Sequence, residues 1–165
     1  DWLKVAPRLP DVAKKWLADN IWWIVAIAAG VSALVVLGLF RAIMGNLSAL
    51  TTPMVSYFAS PTFIVWVMVR SIVALVFAII TAFLLGTAIM PLKEKQKKGW
   101  VLVFASVLVG AVSVVVSSVL TLNVFEVVTN LIFGAVMLAI SAYLLFEIRG
   151  EFAHVSKSKG VKAKK

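Results

Sequence analysis

Four long apolar stretches run through this chain of 165 residues, and nearly every positive charge lies in the segments on one side of them. A helix rises about 1.5 Å per residue, so about 20 apolar residues cross a hydrocarbon layer of about 30 Å. Each stretch has at least this length, and the sequence therefore predicts four membrane-spanning helices. The predicted spans are residues 21–40, 62–90, 100–122 and 125–148.

The composition also indicates a membrane protein. Hydrophobic residues make up 62% of the chain and charged residues only 14%, whereas a soluble domain is about half apolar and about a quarter charged. Folding in water would expose large apolar patches, and such patches aggregate. We therefore expect an all-α integral membrane protein, a single bundle of four transmembrane helices without a second soluble domain.

The lysines and arginines outside the spans form three groups, and four crossings place all three groups on the same side. The groups are Lys4, Arg8, Lys14 and Lys15 before the first span, Lys93, Lys95, Lys97 and Lys98 between the second and third, and Arg149, Lys157, Lys159, Lys162, Lys164 and Lys165 after the fourth. Cytoplasmic loops of membrane proteins carry an excess of positive charge, which is the positive-inside rule. The sequence therefore predicts a multi-pass protein with both termini in the cytoplasm.

Residues 1–20 are predicted to form a cytoplasmic segment with a short amphipathic helix at residues 9–20. The apolar residues of this helix recur at i, i+3, i+4, i+7 and i+8, a spacing that gathers them on one face. They are Leu9, Val12, Ala13, Trp16 and Leu17. Such a helix can lie in the headgroup plane of a membrane, or it can be a straight extension of the first span, and the pattern favours neither.

Residues 41–61 are apolar but are interrupted by glycine, proline, asparagine, serine and threonine. A fifth span here would need a turn near residues 68–71, where no glycine, proline or asparagine is present. We therefore predict a semi-buried outer loop or a short interfacial helix that packs onto the bundle. Residues 149–165 are predicted to be a basic cytoplasmic tail, and we expect its last part, residues 156–165, to be disordered.

Two arginines, Arg41 and Arg70, depart from the charge pattern. Arg41 ends the first span at the outer interface. Arg70 lies about nine residues inside the second span, roughly a third of the way across, where a charge is costly unless it pairs or reaches the interface. We predict an intramembrane ion pair with Glu126, the only acid on the predicted outer side. The alternatives are that Arg70 reaches lipid phosphate or serves an ion or substrate site.

Small residues form a stripe on the third span, where they recur at spacings of four, three and four. The stripe consists of Ser106, Gly110, Ser113 and Ser117. Such stripes let helix backbones approach closely, and serine can donate a hydrogen bond across the contact. We expect packing within the bundle, and an interface with a second copy or another protein is the alternative.

A net charge of +9 indicates an anionic partner, and the headgroups of a lipid bilayer are the expected one. The lysines expected to contact anionic headgroups are Lys14, Lys15, Lys93, Lys95, Lys97 and Lys98. The alternative is that these charges only set the topology. The sequence contains no recognised nucleic-acid-binding module, so nucleic acid is not an expected partner.

Residues that carry chemistry are scarce. The chain has no cysteine and a single histidine, His154, which lies in the predicted tail. A metal site needs clustered ligands and a haem needs an axial ligand from the bundle. A Ser–His–acid set and a glycine-rich phosphate loop are also missing from the sequence. We therefore predict no catalytic residue, no cofactor and no metal.

Residues 91–100 (PLKEKQKKGW) form a basic turn before the third span, residues 143–149 (YLLFEIR) end the fourth, and residues 14–23 lead into the first. These stretches resemble the corresponding parts of a group of small, uncharacterised bacterial membrane proteins with four spans. The resemblance covers the topology of the whole chain and brings no activity with it. It implies a bacterial plasma membrane.

Together these features predict a non-catalytic structural or accessory membrane protein. Its expected protein partners are copies of itself or the subunits of a larger membrane complex. The alternative is a small transporter or channel that uses Arg70 near an outer-facing cavity. An enzyme is not expected.

Overall fold

The computed structural model describes residues 9–52, 60–121 and 123–162. Within these ranges the chain forms four α-helices and no β-strand. The helices are α1 (Asp11–Thr51), α2 (Pro61–Lys93), α3 (Lys97–Val119) and α4 (Val124–Lys162). All four are long and apolar enough to cross a membrane, which confirms the predicted all-α, four-helix architecture.

Neighbours in the chain pack side by side. α1 packs on α2, α2 on α3 and α3 on α4, and α1 also contacts α4. α2 and α4 therefore lie diagonally across the bundle. We call the end that holds the start of α1, the α2–α3 turn and the last part of α4 the basic end. The opposite end, which holds the α3–α4 turn, is the far end.

α1 is one continuous helix of 41 residues, so the predicted amphipathic segment is not a separate interfacial helix. Val12 and Trp16, on its predicted apolar face, are 81% and 64% exposed, whereas Ala18 and Ile21 are buried in the bundle. At the far end, residues 42–51 are helical rather than part of a loop. Helical hydrogen bonding continues there because no proline interrupts the segment.

α4 is also longer than predicted and continues to Lys162. The predicted basic tail is therefore helical as far as the structure describes it, including the first part of the segment expected to be disordered. Extending an existing helix is far easier than starting one, and the tail contains no proline. The other residues covered by these predictions lie outside the described part of the chain; they are residues 1–8, 53–59, 122 and 163–165.

The tightest packing lies at the basic end, where side chains from all four helices are buried against one another. The core consists of Ala18, Ile21, Val25, Leu85, Ala88, Leu92, Trp100, Val103, Leu145, Ile148 and Phe152. Phe152 is only 1% exposed, although it lies beyond the predicted end of the fourth span. The extension of α4 therefore completes the core.

The α2–α3 turn brings the backbones of these two helices into contact. Lys95 has a φ of 53°, a left-handed conformation that costs a non-glycine residue about 1 kcal/mol or more. The Gln96 amide donates a hydrogen bond to the Pro91 carbonyl at 2.8 Å. Gly99 lies against Leu92 so closely that a Cβ atom at Gly99 would be 2.6 Å from the Leu92 nitrogen. Glycine is therefore required at this contact.

Candidate functional site

Arg70 and Glu126, the predicted partners, are in contact at the far end of the bundle. The Arg70 Nη2 donates a hydrogen bond to the Glu126 Oε1, and this ion pair joins α2 to α4. The two side chains are 36% and 42% exposed, so the pair is partly open to its surroundings. Glu126 lies in the first turn of α4, where the positive end of the helix dipole favours a carboxylate.

The distance of the Arg70–Glu126 pair from the basic end can be counted along the helices. About 23 residues separate Arg70 from Lys93, which at 1.5 Å per residue is about 35 Å. On α4, about 21 residues separate Glu126 from Glu147, or about 32 Å. Both distances are close to the thickness of a hydrocarbon layer, about 30 Å. The depth of Arg70 in a membrane stays a prediction.

Arg41 of α1 lies at a similar distance from the basic end. About 22 residues separate it from Asp19, or about 33 Å. Its side chain is exposed and forms no ion pair with another described residue. α1 continues past Arg41 to Thr51, so Arg41 does not end the helix.

A recess beside the ion pair is lined by polar side chains. Ser113 and Ser117 of α3 and Asn130 of α4 line a cavity of about 230 Å³. Asn130 is one helical turn from Glu126, on the same side of α4. None of the three polar side chains forms a hydrogen bond with another residue in the described part of the chain. The other lining residues are Val114, Phe133 and Gly134.

The small residues of α3 mostly line open space rather than a tight helix contact. Ser106 is buried, and its hydroxyl donates to the Val103 carbonyl at 2.7 Å. Gly110 lines a cavity of about 210 Å³ between α3 and α4. The close approach of these two helices comes instead from Gly134, where a Cβ atom would be 2.7 Å from Cγ1 of Val114.

Three neighbouring cavities follow one another along α3 and α4, and we call them together the groove. Toward the basic end, a cleft of about 290 Å³ is lined by residues of all four helices, with Leu145 at its inner end. The middle cavity shares Val107 and Ser141 with this cleft. It shares Val114 and Gly134 with the polar recess. The sequence could not reveal this groove, because it depends on how far the helices separate.

The six lysines predicted to contact lipid headgroups fall into two sets. One set has partners within the protein: Lys14 pairs with Glu147 at 2.8 Å, Lys95 pairs with Asp19, and the Lys93 Nζ lies 5.3 Å from the centre of the Trp22 ring. The other set, Lys15, Lys97 and Lys98, is exposed. The headgroup role stays a prediction, and the first set also holds helices together.

Trp100 anchors the basic end, and sequence analysis did not single it out. Its Nε1 donates to the Leu145 carbonyl at 2.7 Å, and its ring stacks on Phe104 with the ring centres 5.3 Å apart. The Arg149 guanidinium lies 5.5 Å from the Trp100 ring centre, a cation–π geometry. The signal for such an anchor is a tryptophan at the start of a span next to a basic turn.

The described residues contain no group of three or more His, Cys, Asp or Glu side chains that could hold a metal ion. No family model matches the chain, and no curated protein or solved structure is significantly similar to it. A functional proposal therefore depends on the geometry of the bundle, above all on its ion pairs and its groove.

Proposed function

We propose that this chain is a non-catalytic integral membrane protein with a structural or accessory role, either as a small subunit of a larger membrane complex or as an oligomer of itself. The observation that carries this proposal is that three ion pairs join different helices of the bundle. The pairs are Lys14–Glu147, Asp19–Lys95 and Arg70–Glu126.

Each ion pair connects a different combination of elements. Lys14–Glu147 joins α1 to α4, Asp19–Lys95 joins α1 to the α2–α3 turn, and Arg70–Glu126 joins α2 to α4. General acid–base catalysis and proton transfer need a carboxylate or base that is free to exchange its proton with a substrate. Carboxylates that already bind a cation of the same bundle serve better to hold helices in position.

An accessory role also needs a surface for other helices, and α1 offers one. Gly30 and Ala33 are exposed on its surface, and a Cβ atom at Gly30 would meet nothing within 4 Å. Small residues that face outward allow a second helix to approach closely in the membrane. The positive-inside rule supports an orientation with the basic end in the cytoplasm, and the resemblance in the sequence supports a bacterial plasma membrane.

The test is association in the native membrane. A tagged chain is crosslinked in intact cells, purified in mild detergent and weighed by native mass spectrometry. We expect a second copy or a stoichiometric partner, and we expect Gly30→Leu to reduce this association. Gly86→Leu is the matched control, because Gly86 is also exposed and unobstructed but lies on α2. A monomer without a stoichiometric partner would contradict the proposal.

A second candidate function is transport, and the polar recess beside Arg70–Glu126 favours it. Ser113, Ser117 and Asn130 could bind a small polar solute near the level of the ion pair. In liposomes, a transporter would show solute flux that Arg70→Ala abolishes while the helix content and the thermal stability of the protein persist. A flux unaffected by Arg70→Ala would remove this candidate.

A further inference from the structure

The groove along α3 and α4 is most polar at the far end, where Ser113, Ser117 and Asn130 line it. Over the rest of its length the lining residues are apolar except for Ser106 and Ser141, and core residues such as Leu145 line the other end. Asn130 and Leu145 are about 15 residues apart on α4, so the groove is about 22 Å long. This polarity and length fit an amphiphile that lies parallel to the helices.

The polar end of the groove has unused hydrogen-bonding capacity. A carboxamide offers two donors and an acceptor and a serine hydroxyl offers one donor, yet none of the recess side chains bonds to another described residue. Unpaired polar groups are costly within the membrane. Asn130 lies about 6 Å inside the level of Glu126, since four residues separate them. In a phospholipid, the ester groups likewise lie on the chain side of the phosphate.

Arg70 lies near the recess without lining it, because its partner Glu126 is one helical turn from Asn130. Arg70 contacts Glu126 through Nη2, and a guanidinium has five N–H donors, so further donors remain for a phosphate oxygen. Arginine binds phosphate well because its planar group donates two parallel hydrogen bonds.

The close approach of α3 and α4 favours a hydrocarbon chain over a helix. In the middle of the groove a Cβ atom at Gly134 would lie 2.7 Å from Cγ1 of Val114. A helix with its side chains is about 10–12 Å across, so a second copy of the chain could not insert a helix between α3 and α4 without separating them.

We propose that the groove binds one membrane phospholipid from the leaflet at the far end. One acyl chain lies extended along α3 and α4, and the ester and phosphate oxygens accept hydrogen bonds from Asn130, Ser117 and Arg70. Lipid binding here goes beyond the accessory role and is independent of it.

The probe is a phosphatidylglycerol that carries a photoreactive diazirine near the end of one acyl chain. The full-length protein is reconstituted in nanodiscs of phosphatidylcholine doped with this lipid, irradiated and digested. We expect crosslinks concentrated on the peptides that contain Val107 and Ser141, at the inner half of the groove. Native mass spectrometry of protein released from unlabelled nanodiscs is expected to show one retained phospholipid.

Two variants that fill the groove test the site. Gly110→Leu places a side chain in the middle cavity, where a Cβ atom meets nothing within 4 Å, and Ser141→Leu does the same from α4. Each is expected to lower crosslinking in the groove by about tenfold, because a filled cavity cannot also hold a chain. Gly86→Leu, on the exposed surface of α2, is expected to leave the crosslinks unchanged.

A third variant separates headgroup binding from chain binding. Asn130→Ala should lower the number of retained lipids, whereas Thr129→Val, at the neighbouring exposed position, should not.

Crosslinks spread evenly over lipid-facing residues and insensitive to both groove-filling variants would overturn the proposal. Crosslinks between two copies through the groove would also overturn it and would assign this surface to oligomerisation. Thermal unfolding in detergent identifies any variant that does not fold, and the remaining groove-filling variant then decides.

Discussion

Replacing Gly99 with alanine tests the closest backbone contact in the bundle. A Cβ atom at this position would lie 2.6 Å from the Leu92 nitrogen and 2.9 Å from both the Leu92 Cγ and the Pro91 carbonyl carbon. Carbon atoms pack best at about 3.5–4.0 Å, so α2 and α3 would have to separate. Leu92 cannot move aside easily, because it is 1% exposed within the core.

The expected cost can be bounded from two opposing terms. Overpacking of a well-packed core costs about 1–3 kcal/mol, and here two of the three obstructing atoms belong to the backbone. Alanine regains up to about 1 kcal/mol through its higher helix propensity, but Gly99 lies in the first turn of α3, where this gain is smaller. We therefore expect Gly99→Ala to lower the free energy of unfolding by about 1–2 kcal/mol.

Gly110→Ala is the matched control, since it makes the same chemical change in the middle of the same helix. A Cβ atom there meets nothing within 4 Å, so only the propensity term remains and the stability should rise by up to about 1 kcal/mol. Both variants are measured by denaturant unfolding in mixed micelles, with tryptophan fluorescence as the signal. A Gly99→Ala protein as stable as the wild type, or a shift of the same sign in both variants, would refute the reasoning.

Two further changes test the two ends of the bundle. At the basic end, Phe152→Ala should lower the free energy of unfolding by about 3–5 kcal/mol in the same assay, because Phe152 is 1% exposed. Phe146→Ala is the control and should cost much less, because Phe146 is 50% exposed. Equal costs would mean that the tail is not part of the core. At the far end, a double-mutant cycle with Arg70→Leu and Glu126→Leu should give a coupling energy of about 0.5–1.5 kcal/mol, which is the range for polar contacts between membrane helices. Additive effects of the two substitutions would show that the ion pair contributes nothing to stability.

The existence of the four helices followed from the sequence, but their ends did not. Crossing a hydrocarbon layer requires about 20 apolar residues, and this requirement is visible in any sequence. A helix end, by contrast, depends on where backbone hydrogen bonding stops, and a charged residue does not stop it. Arg41 and Arg149 were expected to mark the ends of spans, yet α1 and α4 continue for at least ten residues past them.

The candidate site was predictable in part. Arg70 and Glu126 could be matched because Glu126 is the only acid on its side of the four spans. The depth of Arg70 in a membrane stays a prediction, because it was counted from the first residue of span two and α2 extends beyond the shorter α3. The groove could not be predicted at all, because its walls come from residues that read simply as small or apolar, such as Gly110 and Val107.

The groove follows from how unevenly the bundle is held together. At the basic end, a core contributed by all four helices and the Lys14–Glu147 pair bring α1 and α4 together. At the far end, the diagonal Arg70–Glu126 pair connects α2 to α4, and between the two ends α3 and α4 approach closely at Gly134 and Val114. The cavities lie beside this contact, where small residues such as Gly110 leave space. Breaking the Arg70–Glu126 pair is expected to widen the far end of the groove while leaving its inner end intact, because the core at the basic end does not depend on that pair.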